Sequence, residues 1–289
     1  AGAPRHPRPS RWRGPERLAQ MVMTNPAPIG VFDSGIGGLT VVHELIRQLP
    51  RESIVYFGDT ARVPYGPKSP ETVRRYSREI AAFLREQGVK NIVIACNTAT
   101  AHALTALRED LPMPVVGVVE PGARAAVSAS SRGHVGVIGT VGTIKSGAYE
   151  RAIRAINPDI RVTARACPLF VPLVEEGWTE HEAARLIAQE YLAPLIAADI
   201  DTLVLGCTHY PLLKPLLRDV LGPDVRLIDS AEETAAETAR TLAAGDLCAP
   251  TSADPSYRFV ASDDPLQFLQ LGQRFLGGTM EGVEIRTLG

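Results

Sequence analysis

The chain has few of the features that mark a secreted, membrane-bound or nucleic-acid-binding protein. Its 289 residues hold only four cysteines, none in a C-x-x-C pair or at zinc-ribbon spacing, which excludes a disulfide framework as the basis of stability. No uninterrupted apolar run approaches the roughly 18 residues of a membrane-spanning helix. A formal net charge of -2 with 21% charged residues gives no global attraction to polyanions. An apolar leader followed by a small-residue cleavage site is also missing, so a secretory signal is not expected. These absences point to a soluble protein of the reducing cytosol. The 45% hydrophobic content suffices for one large core or two smaller ones.

One stretch departs from that composition. Arg5, Arg8, Arg11, Arg13 and Arg17 stand against a single acid, Glu16, with Pro4, Pro7, Pro9 and Pro15 between them. Such a segment buries too little apolar area to offset its chain entropy, so residues 1–27 are expected to form a disordered basic arm.

Beyond it, short β-rich runs alternate with helical periodicity. Strands are expected over 29–32, 54–57, 91–95, 115–119, 134–138, 160–164, 202–205 and 225–228, and helices over 39–48, 70–87, 99–109, 148–156, 180–197 and 212–220. This alternation predicts an α/β fold with mostly parallel sheets. A weak internal repeat underlies it. Gly30-Val31-Phe32-Asp33 recurs as Gly136-Val137-Ile138-Gly139, each followed by a Gly/Thr turn. The run from Asn91 to Thr98 recurs from Asp201 to Thr208, and 115–121 matches 225–231, each leading into an Ala-rich helix. Two pseudo-symmetric α/β domains are therefore expected, 28–121 plus 231–289 and 122–230, with the active site in the cleft between them.

Each half of the repeat ends its third strand on a cysteine, Cys96 or Cys207. Ligands of open α/β sheets bind outside the carboxyl ends of the strands, so facing halves would set two thiols across one cleft. A lone cysteine is more often a core residue than a reactive one. Two at equivalent repeat positions, each preceding polar residues, favour the functional reading. Inverting a carbon centre needs a base on one face and an acid on the other, and two symmetry-related thiols supply both once a thiolate forms. His209 lies two residues beyond Cys207, so in extended backbone both side chains would point the same way. Asp33 opens the loop Asp33-Ser34-Gly35-Ile36-Gly37-Gly38, whose backbone N–H groups suit a carboxylate. A dinucleotide fingerprint is the competing reading of these glycines, but its third position is occupied by Thr40. A zinc site from Cys96, Cys207 and His209 lacks a fourth group and the common spacing. Cys167 and Cys248 have no repeat partner and read as structural, and His43, His102, His134 and His181 as ordinary polar residues.

The segments Asp33-Ser34-Gly35-Ile36-Gly37-Gly38-Leu39-Thr40, Pro64-Tyr65-Gly66, Ala95-Cys96-Asn97-Thr98-Ala99 and Gly206-Cys207-Thr208-His209-Tyr210-Pro211 together resemble, in order, the motif set of glutamate racemases of the aspartate/glutamate racemase superfamily. The resemblance spans about residues 29 to 232. It implies catalysis by Cys96 and Cys207 assisted by Asp33, His209 and Glu175, with Glu176 the neighbouring alternative to Glu175. It implies glutamate bound by Asp33, Ser34, Tyr65, Gly66, Asn97, Thr98, Thr208 and His209, with no pyridoxal phosphate, metal or nucleotide cofactor. It also implies a cytoplasmic homodimer making D-glutamate for peptidoglycan and, as in some relatives, a second role in contact with DNA gyrase. On this resemblance Cys207 serves L-glutamate and Cys96 D-glutamate. The rivals are a racemase of aspartate and, from another class, a binding protein that partners DNA or a DNA enzyme through the basic arm.

Overall fold

The computed structural model describes residues 24–288. Most of the expected arm lies outside the described residues. Residues 24–27, the end assigned to it, run along the body of the protein, where the Asn25 N–H donates to the Cys248 carbonyl at 2.9 Å.

The chain begins with β1 (Ile29–Asp33), α1 (Leu39–Gln48), β2 (Ile54–Gly58), α2 (Pro70–Glu86), β3 (Asn91–Ile94), α3 (Asn97–Asp110), β4 (Val115–Gly117) and α4 (Val119–Ala129). It continues through β5 (His134–Gly139), α5 (Val141–Ser146), α6 (Ala148–Ile156), β6 (Arg161–Ala166), α7 (Phe170–Glu175), α8 (Glu182–Ala197), β7 (Thr202–Gly206), α9 (Lys214–Leu221) and β8 (Arg226–Asp229). It closes with α10 (Ser230–Ala244), β9 (Tyr257–Ala261), α11 (Pro265–Leu276) and β10 (Glu284–Ile285). Strands β1, β2, β3 and β7 are buried throughout, which is why their sequences are continuous apolar runs and not alternating ones. Among the described residues no helix is long and apolar enough to cross a membrane.

Two parallel sheets result, ordered β10-β9-β2-β1-β3-β4 and β6-β5-β7-β8. The α/β class with parallel sheets is thus the one expected. The order β2-β1-β3-β4 in the first sheet repeats as β6-β5-β7-β8 in the second, the structural form of the repeat legible in sequence. The first sheet is extended by β9 and β10, two strands with no repeat counterpart. α4 packs against α6, α10 and β7, and α1 against α10, so the two layers share helices rather than touching through a loop.

At the amino ends of the strands, away from the thiols, Lys90 Nζ pairs with Glu52 at 2.5 Å with both side chains almost wholly buried. Lys90 also donates to the Asn25 carbonyl, and Glu52 accepts the Ala249 N–H at 2.7 Å. Burial of that pair is compensated by these further bonds, and its role is to tie residues on either side of the repeat to the first sheet.

Several expected boundaries shift for local reasons. The strand expected over 115–119 stops at Gly117, because Val118 already has helical backbone and begins the turn into α4. The helix expected from residue 99 starts at Asn97, because the Cys96 side chain caps it. The helix expected from 212 begins as a tight turn, Tyr210–Leu213, before α9.

Candidate active site

Both thiols stand just beyond equivalent strand ends. In the first sheet Phe32 is level with Ile94, and in the second Gly139 is level with Gly206. Continuing each register sets Cys96 beside Ser34 and Cys207 beside Thr140. Cys96 Sγ lies 3.7 Å from Ser34 Oγ and accepts the Ala99 N–H at 3.4 Å. It therefore caps α3, where the aligned peptide dipoles favour negative charge on sulfur.

Cys207 and His209 do meet, but not through extended backbone. His209 has helical φ and ψ of -79° and -30°, so the chain turns directly after β7. The turn leaves His209 Nδ1 4.0 Å from Cys207 Sγ, the outer limit of an N···S hydrogen bond, and brings the His209 backbone N–H to the same sulfur. The opposite ring nitrogen, Nε2, meets Glu175 Oε1 at 2.9 Å. Glu175 ends α7 and faces the imidazole, while its neighbour Glu176 is exposed. Phe275 of α11 holds the imidazole edge-on, with ring centroids 5.1 Å apart.

Asp33 lies among these groups. Its Oδ2 accepts the Gly35 N–H at 3.1 Å, and its Oδ1 is buried without a partner. Burial pushes its carboxyl up, against the opposing pull of His209 and of the Gly38, Gly35 and Ser34 N–H groups. Burial likewise raises the Cys96 thiol to about 12, helped by the Asp33 charge and opposed by the Ala99 N–H and Ser34. Cys207 is also raised, first by burial and then by Asp33, Cys96 and Glu175, while the His209 N–H opposes. Asp33 thus acts on both sulfurs, and Cys96 acts on Cys207, as one shared site requires.

Glycines let the two layers approach. A Cβ on Gly37 would overlap Thr208 Oγ1 and lie 2.5 Å from the His209 ring, and one on Gly38 would lie 2.5 Å from Asp33 Cβ. Thr40 Oγ1 donates to the Thr208 carbonyl at 3.2 Å. On the other flank Thr98 Oγ1 shares hydrogen bonds with Thr140 at 2.8 Å and Thr143 at 3.2 Å. Gly66 faces Thr140, and its carbonyl is so close to Gly142 that a Cβ there would lie 2.7 Å away.

Of the residues expected at the site, Asp33, Ser34, Cys96, Cys207, Thr208, His209 and Glu175 are joined by these contacts, and Gly66, Asn97 and Thr98 border them. Tyr65 is placed differently. Its phenol is buried against Asp59, which also holds Arg62 and the Ser262 hydroxyl, so its hydroxyl is already committed. Four residues at the site carried no expectation: Thr140, Thr143, Tyr149 and Phe275. Thr140 was within reach, since the repeat aligns it with Ser34. Phe275 was not, because α11 lies outside the repeat.

The raised thiols have a measurable consequence. Thiolate is the species that alkylates, so a thiol titrating above its ordinary value reacts slowly at neutral pH and faster as pH rises. Inactivation of the ligand-free protein by iodoacetamide is expected to accelerate about tenfold per pH unit through pH 10, with no plateau near the ordinary thiol value of about 8.5. A plateau by pH 9 in the inactivation rate would show that burial does not govern these sulfurs.

Residues 29–238 match the family described as Asp/Glu/Hydantoin racemase. The chain is 58% identical over 255 residues to a glutamate racemase of Geobacter metallireducens, an alignment covering 88% of this chain and 94% of the relative. Its fold is similar to that of glutamate racemase isoform RacE1 from Bacillus anthracis, with TM-score 0.87, 45% identity, and 90% of this chain and 97% of that one covered. A glutamate racemase from Francisella tularensis solved in complex with D-glutamate gives TM-score 0.85 at 41% identity, covering 91% and 98%.

Proposed function

The chain belongs to the Asp/Glu/hydantoin racemase family, among its glutamate racemases, and from that premise we propose that it interconverts L- and D-glutamate by two-thiol proton transfer between Cys96 and Cys207. The observation that carries this reading is the pair of buried thiols at equivalent strand ends, each with its own stabilising N–H group and both under the influence of Asp33.

In the ligand-free cleft both sulfurs hold their protons, because burial and the nearby carboxylates disfavour thiolate. An amino acid brings an ammonium group into the same space, and a cation beside a thiol lowers its pKa. Binding of substrate therefore favours thiolate at the sulfur that faces the α-proton, whose own proton passes to the flanking base, Asp33 for Cys96 or His209 for Cys207, while the opposite sulfur keeps its proton. One thiolate takes the α-proton, forming S–H as the C–H bond breaks, and the opposite thiol delivers its proton to the other face of the carbanion. The N-terminus of α3 stabilises negative charge on Cys96, and the His209 N–H does so on Cys207. On the family resemblance Cys207 serves L-glutamate, with His209 and Glu175 behind it, and Cys96 serves D-glutamate, with Asp33 and Ser34 beside it. Gly66, Asn97, Thr98 and Thr208 supply the surrounding donors, with Tyr65 contributing through backbone. The D-glutamate formed would supply peptidoglycan synthesis in the cytoplasm.

Dialysed protein incubated with L-glutamate is expected to produce D-glutamate without added cofactor, followed by loss of optical rotation, and to act on L-aspartate at least about a hundredfold more slowly. That ratio lies within the roughly 10–200-fold that one methylene in a pocket is worth, and a side-chain carboxylate displaced from its donors acts in the same direction. Faster turnover of aspartate would overturn the substrate assignment and leave the thiol chemistry standing.

A further inference from the structure

Tyr149, the second residue of α6, reaches across to the first residue of α3. Its hydroxyl donates to Asn97 Oδ1 at 2.7 Å, and both residues are buried. The other end of that amide, Asn97 Nδ2, is buried with no hydrogen-bond partner. The tyrosine ring has little freedom to move. It sits between Gly122 and Gly206, where added Cβ atoms would lie 3.3 and 3.1 Å from it, with the Ser230 hydroxyl beside the phenol.

An amide whose oxygen is pinned has a fixed orientation, with its two N–H donors on the opposite side. Here those donors stand at the N-terminus of a 14-residue helix, beside the thiol that caps it. Unpaired buried donors are costly, and the charge that suits both them and the helix end is negative. A substrate carboxylate meets that description.

We propose that Tyr149 is a positioning residue: by holding Asn97 Oδ1 it turns the Asn97 N–H groups toward a carboxylate of the bound amino acid. It acts through Asn97 and touches no reacting atom. The inference rests on the glutamate racemase reading for the identity of the ligand, and its test leaves both thiols intact so that the two can fail separately.

The test is a double-mutant cycle with L- and D-glutamate on Tyr149→Phe, Asn97→Ala and the combined variant. Tyr149→Phe keeps the ring and is expected to raise KM for both enantiomers about tenfold, as loss of a hydrogen bond that orients a charge-binding donor would, while kcat changes less than about threefold. Asn97→Ala should raise KM at least as much, and adding Tyr149→Phe to it should change KM no further. Asn97→Asp, which keeps the acceptor for Tyr149 but removes the N–H donors, should weaken binding more than Tyr149→Phe does. Its binding decides between the outcomes even if the phenylalanine variant does not fold. Unchanged KM in Tyr149→Phe, additive effects in the cycle, or normal binding by Asn97→Asp would each overturn the proposal. So would a fall in kcat for both enantiomers at unchanged KM, which would assign the phenol to its other charged neighbour, Cys207.

Discussion

Alanine at either Cys96 or Cys207 is expected to abolish racemisation, lowering kcat by at least about 10²–10⁴-fold, the range that a positioned acid or base contributes. A proton removed from one face can then no longer be replaced on the other. The loss should come without unfolding, since each change removes one sulfur from a site lined by polar groups. The informative measurement is hydrogen exchange in heavy water. A remaining thiolate can still remove and return a proton on its own face, so Cys96→Ala should exchange the α-hydrogen of L-glutamate in preference to D, and Cys207→Ala the reverse. Racemisation persisting in either variant would refute the two-thiol mechanism. Exchange with the opposite preference would refute only the assignment of hands.

The second large effect is expected from one methyl group at Gly37. Its Cβ would overlap Thr208 Oγ1 and come within 2.5 Å of the His209 ring, whereas a Cβ on Gly35, two residues earlier in the same loop, would meet only Val63 at an ordinary 3.5 Å. Gly37→Ala must therefore push the turn after β7 away from the loop after β1. Because that turn carries Cys207, a displacement on the order of 1 Å should lower kcat/KM about a hundredfold. Gly35→Ala should have a far smaller effect. Equal activities in the two variants would mean that the close approach of the layers is not needed for catalysis.

The contrast between those glycines also shows what was legible in the sequence. The continuous apolar runs at β1, β3, β5 and β7 could be read because strands buried on both faces need nothing but apolar residues. The repeat could be read because its two cysteines close equivalent strands. Interlayer contacts could not: nothing about Gly37 differs locally from Gly35, and only the fold brings Thr208 against one of them. Tyr149 was hidden for the same reason, being an aromatic at helical spacing whose partner lies 52 residues away. The extended geometry expected for Cys207 and His209 failed because the chain turns immediately after Gly206, so the two meet by curvature instead of alternation. β9 escaped notice because Tyr257–Ala261 is a short run outside the repeat, beyond a loop of proline and serine.

That late strand has a consequence for how the chain is made. β9 pairs with β2 along its whole length, from Ile54 beside Tyr257 to Gly58 beside Ala261. The second sheet, by contrast, is drawn from one continuous stretch of sequence. During synthesis β5 to β8 emerge in succession and find all their partners, while β2 waits through some two hundred further residues with one edge unpaired. An open edge of five buried residues, four of them apolar or aromatic, is a template for joining another chain. The first sheet is therefore the half that depends on its own C-terminal segment, or on chaperone protection until that segment arrives.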